Sequence, residues 1–137
     1  MVRAEEQIDN EHIKLLSIFH YIFAAFAILG IGFLALHCFV MRTIFSNPEL
    51  MKKSGDQTMP EEILTMMLVF YLFIGGLMLF VAIGNILAGN FLRLRKNRVF
   101  CQVMAGINCL QIPFGTILGV MTFIVLSRES VRRQYEG

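Results

Sequence analysis

VFCQVMAGINCLQIPFGTILGVMTFIVLS, residues 99–127, is the stretch on which the fold turns. It carries no Asp, Glu, Lys or Arg, yet Gln111-Ile112-Pro113-Phe114-Gly115 interrupts it near the middle. Proline has no amide proton and its ring clashes with the preceding turn, so a straight helix through Pro113 is disfavoured. The stretch is therefore either one kinked membrane span or a tight hairpin of two short ones. Charge separates the two. Crossing once, it leaves Arg3, Lys14, Arg93, Arg95, Lys96 and Arg98 on one side and Arg42, Lys52, Lys53, Arg128, Arg132 and Arg133 on the other, an even split with no orientation signal. Folded back at Pro113, it moves the last three cations across, and nine stand against three, a clear positive-inside bias. Length opposes the hairpin, because each limb has about 14 residues, near 21 Å of helix, against a hydrocarbon core of about 30 Å. The flanking Arg93, Arg95, Arg128 and Arg132 can snorkel toward headgroups, and bilayer thinning can absorb the remainder.

Working outward, Leu15–Met41 and Ile63–Ala88 are two further runs without a charge, each long enough to span. Apolar residues make up 56% of the chain, charged ones 16%, and mean hydropathy is +0.66. A soluble domain of 137 residues could not hide that much apolar surface. The expected fold is an all-α polytopic membrane bundle in one domain. Its spans are about 15–41, 62–88, 97–112 and 114–130, with a polar loop at 42–61 and both termini cytoplasmic. Three spans, the third kinked, is the alternative. The acidic amino-terminal stretch and the length of the first apolar run argue for a retained anchor rather than a cleaved leader.

The first span has two faces. Ser17, His20, Ala24, Ala27, Ile31 and Cys38 share one stripe, while Phe19, Phe23, Phe26 and Phe33 share another. Small and polar side chains let helix backbones approach, whereas Phe suits lipid. His20, Ala24 and Ala27 are thus expected against other helices, and Phe23, Phe26 and Phe33 against lipid or a partner chain. Asp9 or Asn10 is expected to cap the helix start. In the loop, Ser46-Asn47-Pro48-Glu49 and Thr58-Met59-Pro60-Glu61 fit the S/T-x-x-E capping pattern, the first opening a short helix that Gly55 ends. On the second span Tyr71, Gly75, Met78, Ala82, Asn85 and Gly89 share a face. Asn85 and Asn108 should each hydrogen-bond between helices or to backbone, since a lone amide in hydrocarbon costs roughly 2 kcal/mol or more. Gly115 and Gly119 form a GxxxG contact candidate with Thr122 on the same side.

Arg93, Arg95, Lys96 and Arg98 make a basic run pressed between two apolar segments. That placement favours contact with anionic lipid headgroups over nucleic acid, and a net charge of +2 adds nothing for nucleic acid. His12, His20 and His37 all lie on the first helix, with His20 and His37 roughly 25 Å apart, so they cannot share an ion. His20 reads as a hydrogen-bonded structural residue ahead of a haem ligand or proton relay. Cys38, Cys101 and Cys109 form no CxxC and no disulfide framework; they read as small hydrophobes, with palmitoylation of Cys101 the weaker reading. Nucleophile elbows, HExxH, P-loops and GxGxxG are absent from the sequence. No enzyme activity, cofactor or metal is expected.

Glu11-His12-Ile13-Lys14-Leu15-Leu16-Ser17-Ile18-Phe19-His20-Tyr21 resembles the opening of a group of small, uncharacterised bacterial multi-pass membrane proteins. Cys109-Leu110-Gln111-Ile112-Pro113-Phe114-Gly115-Thr116-Ile117-Leu118-Gly119-Val120, continuing to Val125-Leu126-Ser127-Arg128, resembles their carboxy-terminal pattern. The resemblance implies a four-helix layout in a bacterial inner membrane and carries no activity or site residues. The leading expectation is a structural or accessory membrane protein, partnered by lipids and by other membrane subunits or itself. A homo-oligomeric pore or small-solute transporter lined by Asn85, Asn108, Gln102 and His20 is the rival. A haem- or quinone-associated subunit using His20 is the third reading.

Overall fold

A computed structural model describes residues 2–53 and 60–136. Among the described residues every element is helical: α1 Val2–Phe45, α2 Pro48–Lys53, α3 Glu61–Leu94, α4 Arg98–Cys109, α5 Phe114–Ser127 and α6 Glu129–Glu136. Helices α1 and α3 are long and apolar enough to cross a membrane; α5 and α6, bent by 73°, would together make a third. Glu129, Arg132, Arg133 and Glu136 load the short α6 with charge, so it suits an interface better than hydrocarbon.

The start of α1 corrects the sequence reading. The helix begins at Val2, well before Asp9 and Asn10, so neither caps it. No glycine or proline interrupts residues 2–14, and Glu5 in the first turn complements the helix dipole. Both supposed caps bond to other elements instead. At the other end, Pro48 opens α2, and the Glu49 amide donates to Asn47 Oδ1 at 3.1 Å. Asn47 rather than Ser46 is the cap, because proline favours the first helical position and the cap is the residue before it. Thr58, Met59 and Gly55 lie outside the described residues. Helix α3 ends in a Schellman motif: the Lys96 amide donates to Phe91 O and the Arg95 amide to Leu92 O, with Arg95 left-handed at φ 53°.

At residues 110–113 the chain reverses, and α5 packs antiparallel on α4. Thr116 Oγ1 donates to Cys109 O at 2.8 Å near the turn, and Arg98 Nε donates to Leu126 O at 2.8 Å near the open end. A Cβ on Gly115 would fall well inside 3.0 Å of Asn108 O, and one on Gly119 as close to Ala105 O. Glycine at these two positions is what allows the backbones to touch. Residues 99–127 are thus a hairpin and not one kinked span. The limbs are shorter than expected, with 12 residues in α4 and 14 in α5, roughly 18 and 21 Å of helix. Neither reaches across about 30 Å of hydrocarbon by itself.

Two units divide the chain. The first holds α1 through Phe26, α3 from Val81, and α4 to α6. Its apolar core draws on every one of these elements: Ile13 and Leu16 from α1, Leu92, Cys101, Leu126 from the next three, and Val131 from α6. The second unit, Ala27–Phe80, contains the remaining lengths of α1 and α3 with α2. There Leu34 lies 3.7 Å from where a Gly75 Cβ would stand, the Met78 side chain covers Gly30, and Tyr71 Oη meets His37 Nδ1 at 2.7 Å.

Candidate functional site

Four polar side chains from four helix segments meet at the centre of the first unit. His20 on α1, Asn85 on α3, Asn108 on α4 and Thr122 on α5 are each 0% exposed. Their geometry fixes their roles. Asn85 Nδ2 lies 2.9 Å from Val81 O, an acceptor, so the nitrogen of that amide must face it. Asn85 Oδ1 then faces His20 Nδ1 at 2.7 Å, which requires that Nδ1 carry the proton. Asn85 and Asn108 complete a reciprocal amide pair, Nδ2 to Oδ1 at 3.1 Å one way and 2.7 Å the other. His20 Nε2 is left to Thr122 Oγ1 at 3.3 Å, and that hydroxyl also lies 2.8 Å from Leu118 O. Nδ1–H thus donates to Asn85 Oδ1, while Nε2 faces a hydroxyl whose own proton goes to Leu118 O.

These bonds tie α1, α3, α4 and α5 together within the first unit. An amide carbonyl accepts a proton bond but cannot pass a proton on, so the Asn85 side of His20 is no relay. Both imidazole nitrogens are engaged by side chains of other helices. Gln102, on α4, is only half-buried and makes no part of the cluster. Among the described residues, no three His, Cys, Asp or Glu side chains converge in a metal-ligating group. The other end of the α1–α3 contact is equally close: Ser17 Oγ donates to Gly89 O at 2.7 Å, and a Cβ on Gly89 would come within 3.2 Å of Ser17 O.

A second polar cluster closes the end of this unit. Asp9, 3% exposed, accepts from Arg128 Nη1 at 3.0 Å and from the Ser130 hydroxyl. Burial alone would raise its carboxyl pKa, but the Ser130 and Arg128 hydrogen bonds and the Arg128 charge outweigh it and hold it below the usual value. Arg95 donates to the Asn10 side chain. Nearby, burial pushes the Tyr135 phenol pKa up. The basic run is therefore split: Arg93 and Lys96 are exposed, while Arg95 and Arg98 spend donors on Asn10 and on Leu126 O.

The remaining candidates fall as follows. Ala24 is buried, Ala27 and Gly75 are half-buried, and Gly115 and Gly119 are buried against α4. Phe26 and Phe33 are exposed as expected, but Phe23 is half-buried against the apolar core of its own chain. Cys101 is 0% exposed with Sγ directed at Ala88 O, so it offers no thiol to an acyl donor. Asp9, Arg128 and Ser130 were missed as a set. One signal was there: Asp9, Ile13, Leu16, His20 and Ala24 follow helical spacing, so the buried stripe of α1 continues back through Asp9. Comparison of the chain with protein families, with curated proteins and with solved structures finds no match.

Proposed function

We propose that this chain is a small structural or accessory protein of the bacterial inner membrane, a helper subunit or self-associating module without chemistry of its own. The closed His20–Asn85–Asn108–Thr122 network carries this reading. A pore or transporter needs its polar groups open to a solute, and here they are spent on one another. The resemblance of the two terminal motifs to small multi-pass membrane proteins points the same way.

We also propose its topology. Helices α1 and α3 cross the membrane, and the α4–α5 hairpin enters and leaves from the cytoplasmic side, turning inside the hydrocarbon instead of completing two further spans. The limb lengths support this, and so does the turn. Leu110 and Ile112 are 82% and 84% exposed, and Phe114 is exposed beside them; a turn in water ordinarily draws on Gly, Asn, Asp and Ser. Backbone in lipid must be satisfied internally. The turn meets part of this need: the Leu110, Gln111 and Gly115 amides donate to the carbonyls of Ile107, Asn108 and Gln111, Thr116 Oγ1 donates to Cys109 O, and Pro113 has no amide, while the Ile112, Phe114 and Thr116 amides make no such bond. The nine-to-three charge bias is kept without asking either limb to span.

Purification in mild detergent, followed by mass spectrometry of what accompanies the chain, tests the role: a stable oligomer or heteromer is expected. Ion flux through liposomes that Asn85→Leu or Asn108→Leu abolishes would replace it with the pore. For the topology, Ile112→Cys in a Cys-free background should resist a membrane-impermeant maleimide from the periplasmic side. Rapid labelling there would mean two full spans.

A further inference from the structure

We infer that the groove between the first half of α1 and α5 binds one phospholipid, its acyl chain lying along the groove and its phosphate at the polar end. The site rests on the membrane reading above, and its polar end stands beside the basic run, whose Arg95 and Arg98 bond to Asn10 and to Leu126 O. The groove holds about 300 Å³. Phe19 and Phe23 line one wall and Met121 and Phe114 the other, while His12 and Arg128 stand together at one end. From residue 12 to residue 23 the α1 wall is roughly 16 Å long. One leaflet of hydrocarbon is about 15 Å deep, half of the about 30 Å core. A groove that is apolar over one leaflet and cationic at its interfacial end has the shape and polarity of a single membrane lipid.

The polar end supplies the recognition. Arg128 gives Nη1 to Asp9, but a guanidinium has five N–H donors and this side chain is 44% exposed. Asp9 is turned inward, its second oxygen taken by Ser130. A phosphate on the outer side of Arg128 would therefore extend the Asp9–Arg128 pair rather than compete for it. Fork-shaped recognition of phosphate oxygens is the habit of arginine.

Native mass spectrometry of the delipidated full chain tests this, with phosphatidylglycerol, the diacylglycerol of the same chains, and inorganic phosphate as probes. One phosphatidylglycerol should remain bound under activation that strips the others. Diacylglycerol should bind about tenfold weaker, the equivalent of losing one charge-assisted hydrogen bond, and inorganic phosphate, which lacks the acyl-chain contact altogether, should not be retained. Met121→Trp and Ile117→Trp place a ring in the groove from half-exposed positions outside the core, and each should lower retention by about tenfold. Diacylglycerol held as firmly as the phospholipid, or full retention by both tryptophan variants, would overturn the site. Alkaline carbonate extraction of the source membranes keeps the two readings apart. A chain released by carbonate sinks the membrane assignment, whereas a chain that stays in the membrane and retains no lipid sinks the groove alone.

Discussion

The two units use the same residue types to opposite ends. In the first, polar side chains are driven inward: His20, Asn85, Asn108, Thr122, Ser17 and Asp9 are all buried and bonded. In the second, no described residue from Ala27 to Phe80 is buried, and Phe33, Phe39, Met66 and Phe73 are each about 70% exposed. The difference lies in how many elements converge. Five helix segments enclose a volume in the first unit, so a polar group placed there loses all solvent and must find a partner. Two antiparallel stretches enclose only a seam, so the His37–Tyr71 bond stays half-buried and the outer faces stay exposed.

Glycine substitutions should break this comparison most sharply. Gly115→Leu and Gly119→Leu drive a side chain into the α4 backbone, which is not a flexible tip that can move aside. Each should cost about 3 kcal/mol and lower the midpoint of thermal unfolding in detergent, measured by circular dichroism. Gly32→Leu and Gly76→Leu enter open space. They should be neutral or slightly stabilising, because a helix-interior glycine gives up about 1 kcal/mol to a better helix former. Equal losses at all four positions would mean that the hairpin contact is no tighter than the rest of the chain.

The amide network ranks next. Asn85→Leu removes the acceptor of His20 and both bonds to Asn108, and should cost about 2 kcal/mol. Asn108→Leu should cost a similar amount, and the double variant much less than the sum, since the two act as one unit. Tyr71→Phe in the second unit should cost only about 0.6 kcal/mol, the usual value for one bond between membrane helices. Additive losses for Asn85 and Asn108 would dissolve the network into separate contacts.

The Asp9 cluster gives a pH-dependent contrast. Its carboxyl pKa is depressed in the folded chain below that of an ordinary aspartate, so its stabilising share is present above the ordinary value and lost as pH falls through the folded one. Asp9→Asn should therefore destabilise at pH 7 by about 1–2 kcal/mol, discounted because Arg128 is partly solvated. The gap to the parent chain should close once pH drops well below the ordinary aspartate range. Glu62→Gln, at an exposed site of the second unit, should leave the unfolding curve unchanged at pH 7.

The long helices were legible because charge-free runs and small-residue stripes are local signals. Pro113 likewise announced a break, and Asn85 and Asn108 announced a need for partners. Their meeting with His20 and Thr122 was not legible, because it depends on the register between α4 and α5, which Gly115 and Gly119 set through backbone contact. The helical limbs ended short of their expected bounds for a similar reason. Apolar composition continues through Leu110–Pro113, but the turn consumes those residues. Asp9 was misplaced because a capping signal competed with a stripe that only tertiary packing makes decisive.

The smallest effect concerns the end of α3. A Schellman cap ordinarily puts glycine at the left-handed position, since other residues pay about 1 kcal/mol there. Arg95 holds that position with φ 53°, and its guanidinium bonds to Asn10 on α1. Two opposed contributions meet in one residue. Arg95→Ala removes the side-chain bond and leaves the backbone cost, so it should destabilise by about 0.5–1 kcal/mol. Arg95→Gly removes both, so it should lie about 1 kcal/mol above Arg95→Ala and close to the parent. Asn10→Ala should match Arg95→Ala, and combining Asn10→Ala with Arg95→Gly should restore most of the loss. An Arg95→Gly variant as unstable as Arg95→Ala would show that the left-handed turn is unstrained, leaving the bond to Asn10 as the whole of what Arg95 contributes.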